Sequence, residues 1–202
     1  MSAPRPHTAR RGDYIARMKS ESTALLIVDV QDSFKYEGRW ERRNNRDFEA
    51  NLDRLVTAWR EAELPLFFII HTDSDPGFGR NDPEFRIMDF LQRRDDEPLV
   101  LKNTRNSFTS TDLQSRLDAI GIKRLVITGL TTEQCCETTT RIAADLGYEV
   151  DFVTEATATF PIAGFAMEDI VARTEAVLRG RFARIATVDE VVAEIGVPAS
   201  TT

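Results

Sequence analysis

The run RLVITGLTTEQCCETTTRIAADLG, residues 124–147, constrains the fold more than any other stretch. Apolar and β-branched residues lead through Gly129 into a threonine-rich turn, and helical spacing follows from about Glu133 to Leu146, closed by Gly147. Another apolar run, Val150 to Thr154, comes at once. Strand, helix and strand at such short range read as a βαβ unit, in which the two strands are parallel and the helix covers the sheet.

The same alternation runs through the rest of the chain. Ala24 to Val30, ALLIVDV, is a continuous apolar run broken only by Asp29 near its C-terminal end, as expected of a strand buried on both faces. Phe48, Leu52, Leu55, Val56, Trp59 and Ala62 then recur at three- and four-residue steps, an amphipathic helix stopped by Pro65. A second strand, Leu66 to Ile70, ends at His71, and the Gly-, Pro- and Asp-rich loop after it is expected to run over the sheet edge. A short helix is expected over Phe85 to Gln92, and a third strand over Leu99 to Leu101, ending at Lys102. Ser110 or Thr111, with Gln114 three or four residues on, offers a capping box for a helix through Ile120 that Gly121 terminates. Leu125 to Thr128 is the fourth strand and Val150 to Thr154 the fifth. Glu168 to Leu178 has helical spacing, Phe182 to Val188 reads as a sixth strand, and Asp189 as the cap of a last helix. Six apolar strands alternating with helices predict an α/β fold, a three-layer αβα sandwich around a six-stranded, mainly parallel, Rossmann-like sheet.

Composition narrows the organisation and the partners. A chain of 202 residues, 42% hydrophobic, suits a single domain over residues 21–202, preceded by a flexible arm over residues 1–20 with Pro4, Pro6 and a basic bias. A net charge of -7 argues against nucleic acid or an anionic membrane as partner and for a small molecule. No apolar run approaches the roughly 18 residues of a membrane span, and the first 20 residues lack the apolar core of a secretory signal, so a cytoplasmic location is expected. The two cysteines, Cys135 and Cys136, are adjacent and read as free thiols, because a bond between sequence neighbours is strained.

In a parallel sheet all strands share one C-terminal edge, where ligands bind. Asp29, Lys102 and the turn before Cys135 each follow an apolar strand at that edge. Taken singly, Cys is most often a small buried hydrophobe, Asp a turn residue and Lys a surface charge. Together they make a complete chemical set. The carboxylate can take the thiol proton, the ammonium can stabilise both anions, and backbone N–H groups in the turn can hold an oxyanion. A helix N-terminus and an ammonium are expected to lower the thiol pKa enough for alkylation near neutral pH.

On LLIVDVQDSF at 25–34, Lys102 followed by Ser107-Phe108, and VITGLTTEQCCETTTRIAADLGYEV at 126–150, the chain resembles the isochorismatase-like cysteine hydrolase superfamily. That group includes nicotinamidases, N-carbamoylsarcosine amidases, biuret and ureidoacrylate hydrolases and streptothricin hydrolase. The resemblance implies a catalytic triad of Asp29, Lys102 and Cys135, a cis peptide between Leu130 and Thr131, and an oxyanion hole of the Thr131 and Cys135 N–H groups. The motif register selects Cys135 over Cys136. It further implies a cysteine-dependent amidohydrolase that cleaves a C–N bond of a small amide, ureide or lactam through a thioester. Isochorismatases proper cleave a vinyl ether without the cysteine, and a binding protein on the same fold is the remaining alternative.

Substrate contacts are expected from the loops at the edge. Phe34 and Phe108 are candidate apolar walls, and Gln31, His71, Arg105 and Thr131 candidate polar contacts, Arg105 for a substrate carboxylate. With only His7 and His71, the chain lacks the histidine pair of the nicotinamidase zinc site. Asp73 and Asp75 are weak cation candidates, so neither metal nor other cofactor is expected. A homo-oligomer, dimer or tetramer, is expected from the resemblance.

Overall fold

The computed structural model describes residues 22–196; the N-terminal arm over residues 1–20 lies outside them. The strands are β1 (Thr23–Val28), β2 (Leu66–His71), β3 (Leu99–Lys102), β4 (Arg124–Leu130), β5 (Glu149–Ala158) and β6 (Arg184–Ile185). The helices are α1 (Phe48–Glu61), α2 (Leu113–Ala119), α3 (Glu137–Asp145), α4 (Met167–Leu178) and α5 (Val188–Glu194). The strands form one sheet in the order β3-β2-β1-β4-β5-β6, and every pairing is parallel. The chain winds outward from β1 in one direction and then from β4 in the other. The switch point therefore lies between β1 and β4.

Side chains alternate between two cores. Leu25 and Ile27 of β1 join Leu52, Leu55, Val56 and Trp59 of α1 and Val188, Val191 and Val192 of α5 on one face. Ala24, Leu26 and Val28 meet Leu113 and Leu117 of α2, Ala143 of α3 and Leu178 of α4 on the other. This is the three-layer sandwich read from the sequence. Among the described residues, no helix is long and apolar enough to cross a membrane.

The departures are local. β1 ends at Val28 because Asp29 turns the chain with φ 54. The stretch expected as a helix over Phe85 to Gln92 forms only one tight turn, Asp89–Leu91, while Ile87 bridges Gln31 in antiparallel fashion. The expected capping box before α2 does not form: the N-cap is Asp112, and Thr111 Oγ1 accepts from Leu113 N–H at 3.2 Å while donating to Ser107 O at 2.6 Å. The last helix is capped by Thr187, with Glu190 completing the box, and not by Asp189. β6 contracts from the expected Phe182–Val188 to two residues, its outer face having no further strand to pair with. β5 is longer than expected and irregular: the step from Ile127 to Gly129 on β4 is matched by the longer step from Phe152 to Thr157 on β5. That irregularity carries Thr157 and Ala158 to the C-terminal edge.

Candidate active site

Asp29 follows β1, Lys102 is the last residue of β3, and Cys135 sits in the turn after β4. All three meet at the C-terminal edge beside the switch point. Lys102 reaches across the end of β2, and its Nζ donates to Asp29 Oδ2 at 2.7 Å, to Thr104 O at 3.1 Å and to Cys135 Sγ at 3.5 Å. The residues are 0%, 1% and 6% exposed for Asp29, Lys102 and Cys135, so the ion pair is fully withdrawn from water. Such a pair costs desolvation that its own attraction only partly offsets, which makes it a poor way to stabilise a fold.

The backbone supplies the convergence. Gly129 lies opposite Val28 with φ +114, and a Cβ there would stand 1.9 Å from Val28 O, so only glycine lets β4 close against the end of β1. Asp29 itself adopts a left-handed conformation, which Asp tolerates better than most residues. Its N–H is tied to Ile69 O at 2.8 Å. After β4 the Leu130–Thr131 peptide is cis, and Thr132–Cys136 winds as a single π turn closed by Cys136 N–H to Thr131 O at 3.1 Å. The turn separates the two thiols. Cys135 faces Lys102, whereas Cys136 is fully buried with its Sγ 3.7 Å from Thr128 O.

The thiol is not the low-pKa group expected from the sequence. Burial first, then the Asp29 charge and hydrogen bond, push Cys135 up to about 12, and the Lys102 ammonium only partly opposes them. The ammonium and helix N-terminus expected to lower it are outweighed by burial and then by the neighbouring carboxylate. Asp29 Oδ1 is buried without a hydrogen-bond partner, leaving acceptor capacity in the site. The resting arrangement is thus a neutral thiol beside a carboxylate and an ammonium.

The other candidates divide. His71, 3% exposed, places its Nε2 2.8 Å from Asp73 Oδ2 and 2.7 Å from Arg105 Nη1. Burial, and next the charge of Lys102, lower its pKa, so the ring is neutral at pH 7. Through that nitrogen it can donate to Asp73 or accept from Arg105, not both. Burial works against the Asp73 carboxylate, but the Asp75 N–H, His71 and Arg105 outweigh it and hold the group below its ordinary range. Arg105 joins this cluster through Nη1, while its side chain remains about half exposed at the rim. Gln31 is spent: its Oε1 accepts from His71 N at 2.7 Å while its Nε2 donates to His71 O at 3.0 Å and Ser33 Oγ at 2.8 Å. It braces the ends of β1 and β2. Phe108 is buried and stacks on Tyr148, with 6.1 Å between ring centroids. Thr131 is buried, its Oγ1 donating to Glu133 Oε1 at 3.2 Å. Among the described residues, no group of three or more His, Cys, Asp or Glu side chains is placed to hold a metal ion.

Residues 23–190 match the isochorismatase domain. The chain belongs to the isochorismatase family. It is 34% identical over 179 residues to the isochorismatase family protein YrdC of Bacillus subtilis, covering 85% of this chain and 95% of that one. Nicotinamidase 3 of Arabidopsis thaliana is 32% identical over 176 residues, 79% of this chain and 82% of the relative. The crystal structure of a hydrolase of the same family from Chromobacterium violaceum superposes with a TM-score of 0.83 at 27% identity, covering 89% of this chain and 96% of that one.

In this isochorismatase-family chain Phe34, a candidate wall from the sequence, joins a buried aromatic shelf with residues that no motif marks. Phe34 lies parallel to Phe160 at 5.5 Å between centroids and edge-on to Phe78 at 5.2 Å. Phe160 comes just after the irregular end of β5, and Phe78 from the loop after β2, where its ring also approaches His71 at 6.1 Å. The guanidinium of Arg39 lies over both Phe34 and Phe160, 4.9 and 4.5 Å from their centroids. Phe160 could have been found from the apolar ending of β5; no spacing signal pointed to Phe78, in the loop after β2, or to Arg39, in the 3-10 segment Asp32–Arg42.

Proposed function

We propose that the protein is a cysteine-dependent amidohydrolase that cleaves a C–N bond of a small amide, ureide or lactam through a thioester. The observation that carries this reading is the Lys102 ammonium bridging Asp29 and Cys135 at 2.7 and 3.5 Å inside a buried edge. A buried thiol with a carboxylate and an ammonium is an arrangement for making and using a nucleophile on demand. The likeness to a nicotinamidase supports amide chemistry, and the cysteine gives the chain a nucleophile that vinyl-ether hydrolysis does not need.

Because the resting thiol is neutral, proton transfer accompanies attack. As Cys135 Sγ adds to the amide carbonyl, its proton passes to Asp29, and the developing oxyanion takes hydrogen bonds from the Thr131 and Cys135 N–H groups. Lys102 keeps a compensating positive charge beside whichever partner is anionic. The tetrahedral intermediate collapses, Asp29 returns the proton to the departing nitrogen, and an amine or ammonia leaves. A thioester on Cys135 remains. Water then adds to it, losing a proton to Asp29; the C–S bond breaks, the acid is released and the proton returns to sulfur. Phe34 of the shelf is the apolar wall, and His71, with Asp73 and Arg105, fixes the rim beside it.

The test is a screen for ammonia release on carbamoyl amines, ureides, maleamate-like acids and lactams. Activity is expected to vanish in Cys135→Ala and persist in Cys136→Ala. Undiminished release from Cys135→Ala sinks the proposal, and a response to vinyl ethers alone would favour the isochorismatase reaction instead.

A further inference from the structure

Resting on the amidohydrolase reading, we infer that Arg39 is the residue that selects substrate, and that it does so by binding a carboxylate carried on the same small molecule as the scissile amide. The shelf belongs to the same site. Phe34 follows β1 five residues after Asp29, and Phe160 follows Ala158, which lies opposite Leu130, the residue before Thr131. Phe78 closes the third side through its contacts with Phe34 and His71. Arg39 sits on this platform within electrostatic range of Glu133, two residues before Cys135, and of Asp75 beyond His71.

A guanidinium stacked on aromatic rings satisfies its face and leaves its edge, with N–H donors in a fork, free to pair with a carboxylate. Arg39 is half-buried, and among the described residues no carboxylate lies within ion-pair distance of it. Arg105, another arginine near this rim, is more exposed and spends Nη1 on His71 and Asp73. Burial, then the charge of Arg42, lowers the Arg39 pKa, while Glu133 and Asp75 act in the opposite direction. An incoming carboxylate would offset both lowering effects. Glu133 is the internal rival: one of its oxygens accepts from Thr131 and Gln134, and the other is buried without a partner. It stands too far from Arg39 to pair in this structure, so the guanidinium edge is available.

The experiment uses matched pairs of small amides: malonamate, succinamate and maleamate against malonamide, succinamide and maleamide. In the wild type the acid of at least one pair should be preferred in kcat/KM by about 10- to 100-fold, the range of a charge-assisted bidentate contact. Arg39→Gln and Arg39→Met should collapse that ratio, and Arg39→Lys, which keeps the charge without the fork, should restore part of it. Equal treatment of acid and diamide by the wild type, or an unchanged ratio in the folded variants, overturns the inference. A second arm does not depend on turnover. Malonate, succinate and maleate are titrated calorimetrically into Cys135→Ala and into Cys135→Ala with Arg39→Gln. Binding of one dicarboxylate by the first protein, weakened by a similar factor in the second, supports the assignment even if no amide is hydrolysed, which would count against the amidohydrolase reading alone. No binding to Cys135→Ala, or binding that ignores Arg39, overturns it.

Discussion

Replacing Asp29 with Asn should abolish hydrolysis and yet make Cys135 more reactive towards iodoacetamide at pH 7. In the wild type the thiol is pushed up to about 12, with burial the largest cause and the Asp29 charge the next. At pH 7 such a thiol is ionised to roughly one part in 10⁵. Asparagine keeps the size of the side chain and removes its charge, leaving the Lys102 ammonium 3.5 Å from sulfur without the carboxylate that neutralises it. A unit charge about 4 Å away at an effective dielectric near 20 is worth about 4 kcal/mol, or roughly three pKa units. Burial still opposes ionisation, so a fall of two to three units is a fair upper range, raising the thiolate fraction by about 10²- to 10³-fold. The less basic thiolate is intrinsically a poorer nucleophile by about tenfold, which leaves a net gain of about 10- to 100-fold in alkylation rate. The assay is the pseudo-first-order rate of iodoacetamide labelling in a Cys136→Ala background, followed by intact mass, beside ammonia release on the same samples. If labelling falls together with hydrolysis in Asp29→Asn, the carboxylate is generating thiolate at rest, and the neutral-thiol ground state is wrong.

Three further outcomes follow from the same geometry. Gly129→Ala places a Cβ 1.9 Å from Val28 O at φ +114, so it should cost roughly 3–5 kcal/mol or prevent folding, read from urea denaturation. Lys102→Met keeps the length of a fully buried side chain but strands the Asp29 carboxylate, and should cost about 3–5 kcal/mol along with the activity; retained stability would mean that water reaches the site. His71 has its pKa lowered by burial and by Lys102, so the unfolded chain binds its proton more readily than the folded one. Its contribution to stability is therefore present above about 6.5 and is lost as pH falls through the lower folded value. Denaturation midpoints from pH 7.5 to 5 should drop more steeply for the wild type than for His71→Gln.

What the sequence disclosed, and what it did not, follows a physical division. The strands were readable because a parallel sheet covered on both faces demands unbroken apolar runs, and ALLIV, LFFII and RLVIT leave little else to form. Strand ends then located Asp29, Lys102 and Cys135, since a residue that terminates a buried strand is carried to the edge by the sheet itself. Loop contacts obey no period. Gln31, His71 and Arg105 were rightly placed near the edge, but which hydrogen bonds consume them depends on the paths of residues 72–78 and 103–108, which no spacing encodes. The raised thiol has the same root: its burial, and next the approach of the Asp29 carboxylate, outweigh the Lys102 ammonium, and neither is encoded in spacing.

That division bears on specificity. The three residues at the edge are fixed by the rigid sheet, with Gly129 and the π turn holding strand ends to within a hydrogen bond of one another. The shelf is assembled from three segments distant in sequence, and the Arg39 guanidinium lies on its rings. A substitution at the half-buried Arg39 is expected to leave the ion pair between Lys102 and Asp29, and the turn that carries Cys135, in place. Changes on the shelf should consequently move the ratio between acid and neutral substrates, while changes at the edge remove turnover of both. Finding the two effects inseparable would mean that the shelf also holds the edge in place, and the partition between chemistry and recognition would have to be abandoned.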